Sequence, residues 1–272
     1  MEHLFGVWDS IATRIKSSRH VLLLFDYDGT LTPIVERPEL ADLHRESRQL
    51  LKALVRKHRF TIGIISGRAL NDLRNRVDVN GIIYAGNHGL EIKGPGMEFI
   101  HPLTEETGSV IRVLSKMLSN SLSTIRGAVV EDKGSTLSVH YRMVEDEEKI
   151  EEVKNAFEQV VGVARSLGKI KTTSGKKVHE VRPNVPWHKG KAVKFIMKRY
   201  AKNGRQSGLL PIYVGDDLTD EDAFEVIEGY GGISIYVGSE DSQTVARYLL
   251  NSIAEVAEFI QRVVILKQGG RN

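Results

Sequence analysis

Apolar and polar positions near the start of the chain follow two kinds of pattern. Short, predominantly apolar runs predict strands that are buried on both faces, and apolar residues spaced three or four apart predict amphipathic helices. The two patterns alternate in the order Val21–Phe25 (strand), Leu40–Lys57 (helix), Phe60–Ile65 (strand), Ala69–Arg76 (helix) and Ile82–Ala85 (strand). Such alternation predicts right-handed βαβ units and a parallel sheet.

The alternation returns in the last third of the chain. The predicted elements are the helix Lys189–Tyr200, the strand Pro211–Val214, the helix Glu221–Ile227, the strand Ile233–Val237 and one or two helices within Asp241–Leu266. The two sections together predict one α/β core with a parallel sheet, made of residues 1–101 and 183–272.

Between these sections, from residue 102 to residue 182, the pattern changes. Two helices and four short strands are predicted in the order αββαββ: Leu103–Leu122, Ala128–Glu131, Thr136–Arg142, Glu145–Leu167, Lys169–Thr173 and Lys177–Val181. Short turns join the two strands of each pair, which favours hairpins and an antiparallel sheet with helices on one face. The sequence therefore predicts a second, α+β domain inserted into the first.

Composition excludes several classes of protein. The 272 residues are 41% apolar and 27% charged, which is ordinary for a folded chain. The net charge of +3 is spread without a long basic block, so nucleic acid is not an expected partner. The absence of cysteine excludes disulfides and thiolate chemistry. Because we find no apolar signal core and no apolar run near the roughly 20 residues that span a bilayer, we expect a cytoplasmic protein without membrane contact.

Two carboxylates directly follow the first predicted strand. Asp26 and Asp28 belong to the segment Asp26–Thr30, with the sequence DYDGT. Ligands of open α/β sheets bind at the carboxyl ends of the strands, and two neighbouring carboxylates need a cation or a shared proton. The pair therefore indicates a metal and acid–base chemistry. Taken by itself, the segment is also compatible with an ordinary Asp-Gly turn.

Three more candidate residues lie at predicted element ends. Ser66 follows the second strand, where a hydroxyl and backbone N–H groups form either a phosphate seat or a simple helix cap. Lys189 opens a helix and Lys191 lies two residues later. The ammonium of either lysine holds a phosphoryl group or is solvated, and the residues alone leave the choice between the two open. Asp216 follows a later strand and is the best candidate for an oxygen ligand of Mg²⁺, with Asp217 and Asp220 as supporting or capping groups.

In this order across a split α/β domain, these features resemble the haloacid dehalogenase-like phosphatases, whose core is Rossmann-like. Longer segments narrow the resemblance to the trehalose-6-phosphate phosphatases: Phe25–Leu31, Ser66–Arg68, Ala85–Gly89, Val130–Gly134, His140–Arg142, Val178–Pro183 and Gly215–Phe224. The resemblance runs from about Val21 to Val237 and departs from the family pattern at Asn87, His188 and Leu218. These departures concern the identity of the sugar more than the chemistry.

The resemblance implies a Mg²⁺-dependent phosphatase that hydrolyses trehalose 6-phosphate through an aspartyl-phosphate, the last step of trehalose biosynthesis. Asp26 is then the nucleophile, and Asp28 is the general acid and base. Ser66 and Lys189 are expected to hold the phosphoryl oxygens. The metal ligands are expected to be Asp26, Asp28 and Asp216, with Asp28 contributing its backbone carbonyl.

The inserted domain is expected, by the same resemblance, to be a cap that selects the sugar. Glu131, Lys133 and Glu180 are its first candidates for sugar contacts. Further candidates for substrate binding are Arg68, His88, Arg142 and Arg182.

Other functions stay open on the sequence alone. A phosphatase for sucrose 6-phosphate or mannosyl-3-phosphoglycerate shares the chemistry, and a phosphomutase shares the phosphoenzyme. A non-catalytic phosphosugar sensor would retain the fold without the turnover. The expected partners are a small sugar phosphate and, functionally, a trehalose-phosphate synthase.

Overall fold

The computed structural model describes residues 1–35, 38–175, 177–200 and 208–266. The helices are α1 Trp8–Ser17, α2 Arg45–Val55, α3 Leu70–Val77, α4 Leu103–Ser121, α5 Glu147–Ser166, α6 Lys189–Tyr200, α7 Glu221–Gly229 and α8 Ile253–Ile265. The strands are β1 Glu2–His3, β2 His20–Phe25, β3 Phe60–Ile65, β4 Ile83–Gly86, β5 Glu91–Gly94, β6 Met97–Ile100, β7 Val129–Asp132, β8 Leu137–His140, β9 Ile170–Gly175, β10 Val178–Pro183, β11 Leu209–Gly215, β12 Ile233–Val237 and β13 Tyr248–Leu250. Within these ranges, the helices are all too short or too polar to cross a membrane.

The chain forms two compact units. The core unit consists of Met1–Phe99 and Trp187–Asn272, and the inserted unit consists of Ile100–Pro186. The core unit contains two clusters of buried apolar residues, and the inserted unit contains one.

The core unit is built on one nine-stranded sheet with the strand order β1-β13-β12-β11-β2-β3-β4-β5-β6. Neighbouring strands are parallel from β1 through β4, and β5 is antiparallel to β4. At the centre, Phe25 of β2 lies opposite both Val214 of β11 and Ile64 of β3. The carboxyl ends of these three strands therefore meet at one edge of the sheet, which brings together the loops that follow them.

Strand β2 is apolar because both faces of the sheet are covered. All six of its residues are buried. Leu23 packs in a layer with residues of α1, α2 and α8, whereas Leu24 packs in a second layer with residues of α6 and α7. Burial on both faces removes the polar alternation that marks a half-exposed strand.

The inserted unit has the order αββαββ, from α4 to β10. Its sheet is antiparallel with the strand order β7-β8-β10-β9. Leu118 of α4 and Phe157 of α5 share one core with Leu137, Val139 and Val181 of the strands. An α/β parallel-sheet unit with an α+β insertion confirms the predicted fold class.

Parts of the predicted element list are wrong. The segment Asp241–Leu266 contains strand β13 before helix α8, because Tyr248–Leu250 pair with β12 and also with β1. The helix predicted for Leu40–Lys57 begins only at Arg45, since His44 has extended backbone angles (φ −58°, ψ 142°). Elements α1, β1, β5 and β6 are absent from the prediction.

Candidate active site

Asp26 is the first residue after β2 and lies buried at the carboxyl edge of the core sheet. Its backbone N–H donates a hydrogen bond to the carbonyl of Val214 in β11, with an N···O distance of 2.8 Å. Only 5% of the residue is exposed. Its Oδ1 lies 2.9 Å from Nζ of Lys189, the first residue of α6. Strand pairing thus fixes the backbone of Asp26, and the lysine offsets the charge of its carboxylate.

Asp216 follows β11 and is held by the loop that follows β2. The hydroxyl of Thr30 donates a hydrogen bond to Oδ1 of Asp216 at 2.9 Å. Gly29 has a φ of +87°, and a Cβ at this position would lie 2.0 Å from Oδ2 of Asp216. Glycine is therefore required twice, for the left-handed backbone and for the space that the carboxylate occupies. The DYDGT segment therefore supplies the carboxylate of Asp26 and positions that of Asp216.

Asp220 is fully buried and organises its neighbours. Its Oδ1 accepts hydrogen bonds from Nζ of Lys189 at 2.7 Å and from the hydroxyl of Tyr213 at 2.6 Å. Its Oδ2 accepts hydrogen bonds from the backbone N–H groups of Asp216 and Asp217, at 3.2 and 3.1 Å. The carboxylate therefore positions the lysine and shapes the loop that follows β11.

Three carboxylates of the core unit fit the requirements of a hard cation. Asp26, Asp216 and Asp220 each offer one oxygen atom, and these atoms lie within 4.8 Å of one another. Carboxylate oxygens are the ligands that Mg²⁺ prefers. Each of the two carboxylate oxygens of Asp220 already accepts two hydrogen bonds. Asp26 and Asp216 are therefore the pair best suited to hold the ion.

Burial dominates the electrostatics of this cluster. It raises the pKa of Asp26 well above its ordinary value, and the charge of Lys189 opposes this only in part. Burial, together with the negative charge of Asp220, raises the pKa of Asp216 to about 7. For Lys189, burial would lower the pKa, but the ion pairs with Asp220 and Asp26 outweigh it and raise the pKa. A divalent cation would relieve the repulsion that remains among the carboxylates.

The carboxylate of Asp28 is held by Arg68. Nε of Arg68 donates to Oδ2 at 2.8 Å and Nη2 donates to Oδ1 at 2.6 Å, which is a bidentate pair. Nη1 of the same guanidinium donates to Asp72 of α3 at 2.9 Å. Burial would lower the pKa of Arg68, but its hydrogen bonds to the two carboxylates raise it. Arg68, predicted to bind substrate, here contacts the predicted acid–base residue.

Ser66 and His88 lie in one cluster of loops at the same edge of the sheet. Oγ of the buried Ser66 accepts a hydrogen bond from the backbone N–H of Arg68 at 3.1 Å. The backbone N–H of His88 donates to the carbonyl of Ser66 at 2.8 Å. A Cβ at Gly67 would lie 2.7 Å from Nε2 of His88, so the imidazole packs directly on this loop.

In the inserted unit, Glu131, Lys133 and Glu180 come together on the sheet. Nζ of Lys133 lies 3.8 Å from Oε2 of Glu131 and 3.6 Å from Oε1 of Glu180. Nε2 of His140 lies 2.9 Å from Oε2 of Glu131, and Nε of Arg182 donates to Oε2 of Glu180 at 3.0 Å. This polar cluster offers the alternating donors and acceptors that sugar hydroxyls need.

Sequence reasoning gave no role to four residues of these clusters and left Asp220 undecided; the four are Thr30, Asp72, His140 and Tyr213. His140 lies on the polar face of β8, opposite the apolar positions Leu137, Val139 and Tyr141 with which it alternates. This alternation is a sufficient signal to find it. Asp72 carries no such signal, because its contact with Arg68 depends on how the loop after β3 folds. No local sequence pattern indicates that Asp220 lies at the centre of the site. The predicted residue Arg142 lies two positions beyond the end of β8.

A parallel-sheet unit that is divided in sequence by an inserted unit, with carboxylates after β2 and β11, is typical of the haloacid dehalogenase-like hydrolases. A haloacid dehalogenase-like hydrolase from Bacteroides thetaiotaomicron shares the fold, with a TM-score of 0.59 and 17% identity over 90% of this chain and 99% of that one. The C-terminal domain of trehalose-6-phosphate phosphatase from C. albicans is more similar, with a TM-score of 0.78 and 25% identity over 94% and 96% of the two chains.

Sequence comparison narrows the class further. Residues 24–254 match the trehalose-phosphatase family. A relative from Arabidopsis thaliana, probable trehalose-phosphate phosphatase D, is 37% identical over 272 residues, which cover 96% of this chain and 72% of that protein. The chain belongs to the trehalose-phosphatase family and is an enzyme of the phosphoric monoester hydrolases.

Proposed function

We propose that the chain hydrolyses trehalose 6-phosphate to trehalose and phosphate, with Mg²⁺ as its cofactor. The observation that carries the proposal is the buried ion pair of Asp26 and Lys189 beside the carboxylate of Asp216. The family match and the names of the relatives support the substrate.

In the proposed first step, an Asp26 oxygen attacks the phosphorus atom and the bond from phosphorus to the sugar oxygen breaks. Lys189 supports this step because its ammonium already contacts the nucleophile and offsets phosphoryl charge. Ser66, at the same edge of the sheet, supplies a hydroxyl for a phosphoryl oxygen. Asp28 gives a proton to the leaving sugar oxygen, and for this step its carboxyl group is protonated and separated from Arg68, with which it forms an ion pair in the free chain.

In the proposed second step, water attacks the phosphorus atom of the aspartyl-phosphate and Asp28 takes up the proton of the water. The bond between the phosphorus atom and the Asp26 oxygen breaks, so that free phosphate leaves and Asp26 is regenerated. Mg²⁺ held by Asp26, Asp216 and the Asp28 carbonyl would neutralise charge on the phosphoryl oxygens. Pairing with a synthase and a cytoplasmic location stay predictions.

The proposal is tested by phosphate release from trehalose 6-phosphate, sucrose 6-phosphate and mannosyl-3-phosphoglycerate, each with Mg²⁺ and with EDTA. We expect turnover of trehalose 6-phosphate only, and none with EDTA. Asp26→Asn should lower kcat by about 10³-fold or more. The control Asp9→Asn changes an exposed residue of α1 and should retain full activity. Near-wild-type turnover by Asp26→Asn would contradict the nucleophile assignment.

A further inference from the structure

A cavity lies in the core unit, away from the carboxylates. Its volume is about 310 Å³, and it lies where α1, α2 and α8 end and β3 begins. Strand β3 has six residues and separates this cavity from the carboxyl edge of the sheet by about 20 Å. The cavity is therefore distinct from the candidate active site.

The walls of the cavity are apolar. Ile15 of α1, Phe60 of β3 and Leu266 after α8 line it with aliphatic and aromatic surface. Its volume matches the lower end of the range for small-molecule pockets, which is about 300 Å³. A sugar or a hydrated inorganic ion would lose water against these three side chains without gaining hydrogen bonds from them. The walls therefore favour a ligand with an apolar body.

Cations surround these walls. Lys57 donates a hydrogen bond to the carbonyl of Val264 at the end of α8, and Arg59 donates one to the carbonyl of Ile15 at the end of α1. These two contacts have a structural explanation, since cations stabilise helix C-termini. They also hold both cations in place beside the cavity.

Two further cations also lie at helix C-termini, since Lys16 is in the last turn of α1 and Arg56 directly follows α2. Lys16 and Arg56 are exposed at the rim, and neither forms an ion pair with a carboxylate of the described residues. Nε of Arg59 is buried and has no hydrogen-bond acceptor in the described ranges. Burial also lowers the pKa of Arg59. None of the described lining residues is acidic, so no carboxylate of the described lining offsets the charge of these four cations.

We propose that this cavity binds a small organic anion with an apolar body, such as an aromatic carboxylate or sulfonate. The apolar part lies against Ile15, Phe60 and Leu266, and the anionic group meets Arg59 with Lys16 and Arg56 at the rim. This site is independent of the phosphatase chemistry proposed above.

The test uses fluorescence titration of the whole chain with anilinonaphthalene sulfonate, which has both an apolar body and a sulfonate. We expect saturable binding of one probe per chain. Lys16→Gln/Arg56→Gln should weaken binding about tenfold or more, because two charged contacts are lost. Leu266→Trp should abolish binding by filling the cavity without changing its charge. Lys194→Gln/Lys198→Gln removes the same charge from an exposed part of α6 and should bind the probe like wild type.

Four outcomes overturn the proposal. They are the absence of saturable binding, wild-type affinity in Lys16→Gln/Arg56→Gln, wild-type affinity in Leu266→Trp, and equal displacement of the probe by inorganic phosphate and by benzoate. The first three would exclude the site, and the last would exclude the apolar body of the ligand. Circular dichroism of each variant checks that loss of binding is not loss of fold.

Discussion

Lys189 is the one cation that contacts two carboxylates of the buried acidic cluster in the described residues. Its side chain is 2% exposed and lies 2.9 Å from Asp26 and 2.7 Å from Asp220. A buried charge is tolerated only when it is paired and hydrogen-bonded, so each member of this trio depends on the others. Asp220 has no assigned part in the chemistry, yet it fixes where the ammonium lies. We therefore treat Asp220 as a positioning residue.

Asp220→Asn should lower kcat by about 10²-fold while leaving KM within a few-fold of wild type, because the lysine loses its second anchor and the nucleophile its orientation. The matched control is Asp217→Asn in the same loop, whose carboxylate accepts a hydrogen bond from the backbone N–H of Leu218. This control should stay within about threefold of wild type, since a side-chain amide oxygen can still cap. Equal effects of the two variants on kcat would contradict the positioning role.

The raised pKa of Asp216, about 7 in the folded chain against an ordinary value of 3.8, predicts a pH dependence of stability. The folded state binds this proton more tightly than the unfolded state. Stability from Asp216 is therefore fully present below about pH 4 and is lost as the pH rises through 7. In EDTA, the free energy of unfolding of wild type relative to Asp216→Asn should fall by a few kcal/mol over this interval. Urea unfolding at pH 4, 5.5 and 7.5 measures it.

A constant difference between wild type and Asp216→Asn across these pH values would contradict the shift. Saturating Mg²⁺ should remove the loss for wild type, since a bound cation stabilises the ionised carboxylate. Asp216→Asn should respond less to the ion.

At the scale of elements, strand ends were predictable where strands are almost entirely buried. The runs that became β2, β3 and β11 are largely apolar, and at most one residue of each is only partly buried, so their ends and the residues Asp26, Ser66 and Asp216 could be located from sequence. Strands β1 and β13 have two and three residues, too few to show a period. Their pairing is a long-range property, which local patterns do not contain.

The packing of α6 against α7 sets the position of Lys189. This packing could not be predicted from the sequence. Gly190 follows the lysine in α6, and a Cβ there would lie 2.3 Å from the backbone carbonyl oxygen of Asp222 in α7. The first turn of α6 therefore packs against α7 more closely than any other residue type allows. Such contacts depend on the approach of two elements that are distant in sequence.

Gly190→Ala should destabilise the chain by about 1–3 kcal/mol, because the backbone of α7 must shift. It should also lower kcat, since α6 carries Lys189 with it. The control is Gly162→Ala in α5, where a Cβ meets no atom within 4 Å. That change should be neutral or stabilising by up to about 1 kcal/mol. Denaturant unfolding and phosphate release measure both effects, and unchanged turnover in Gly190→Ala would contradict the coupling of packing to the lysine.

At the scale of the whole molecule, the two units carry different kinds of polar group. The core unit holds buried carboxylates with one lysine, an arrangement suited to phosphoryl transfer. The inserted unit holds the polar cluster of Glu131, Lys133 and Glu180, which offers hydrogen bonds but no nucleophile beside a metal site. The insertion was predictable from the change in periodicity, whereas the contact of His140 with Glu131 depends on the register of β7 against β8.

This division predicts that sugar recognition and phosphoryl transfer can be separated by substitution. Glu131→Gln and Glu180→Gln should each raise KM for trehalose 6-phosphate about tenfold or more, because a charged acceptor for sugar hydroxyls is lost. Turnover of p-nitrophenyl phosphate, which has no sugar, should stay unchanged in both, whereas Asp26→Asn should lose both activities. Glu158→Gln, at an exposed ion pair with Arg165 on α5, is the matched control and should retain wild-type KM. If both cluster variants keep wild-type KM for trehalose 6-phosphate, the sugar is selected by residues outside this cluster, and the assignment of specificity to the inserted unit fails.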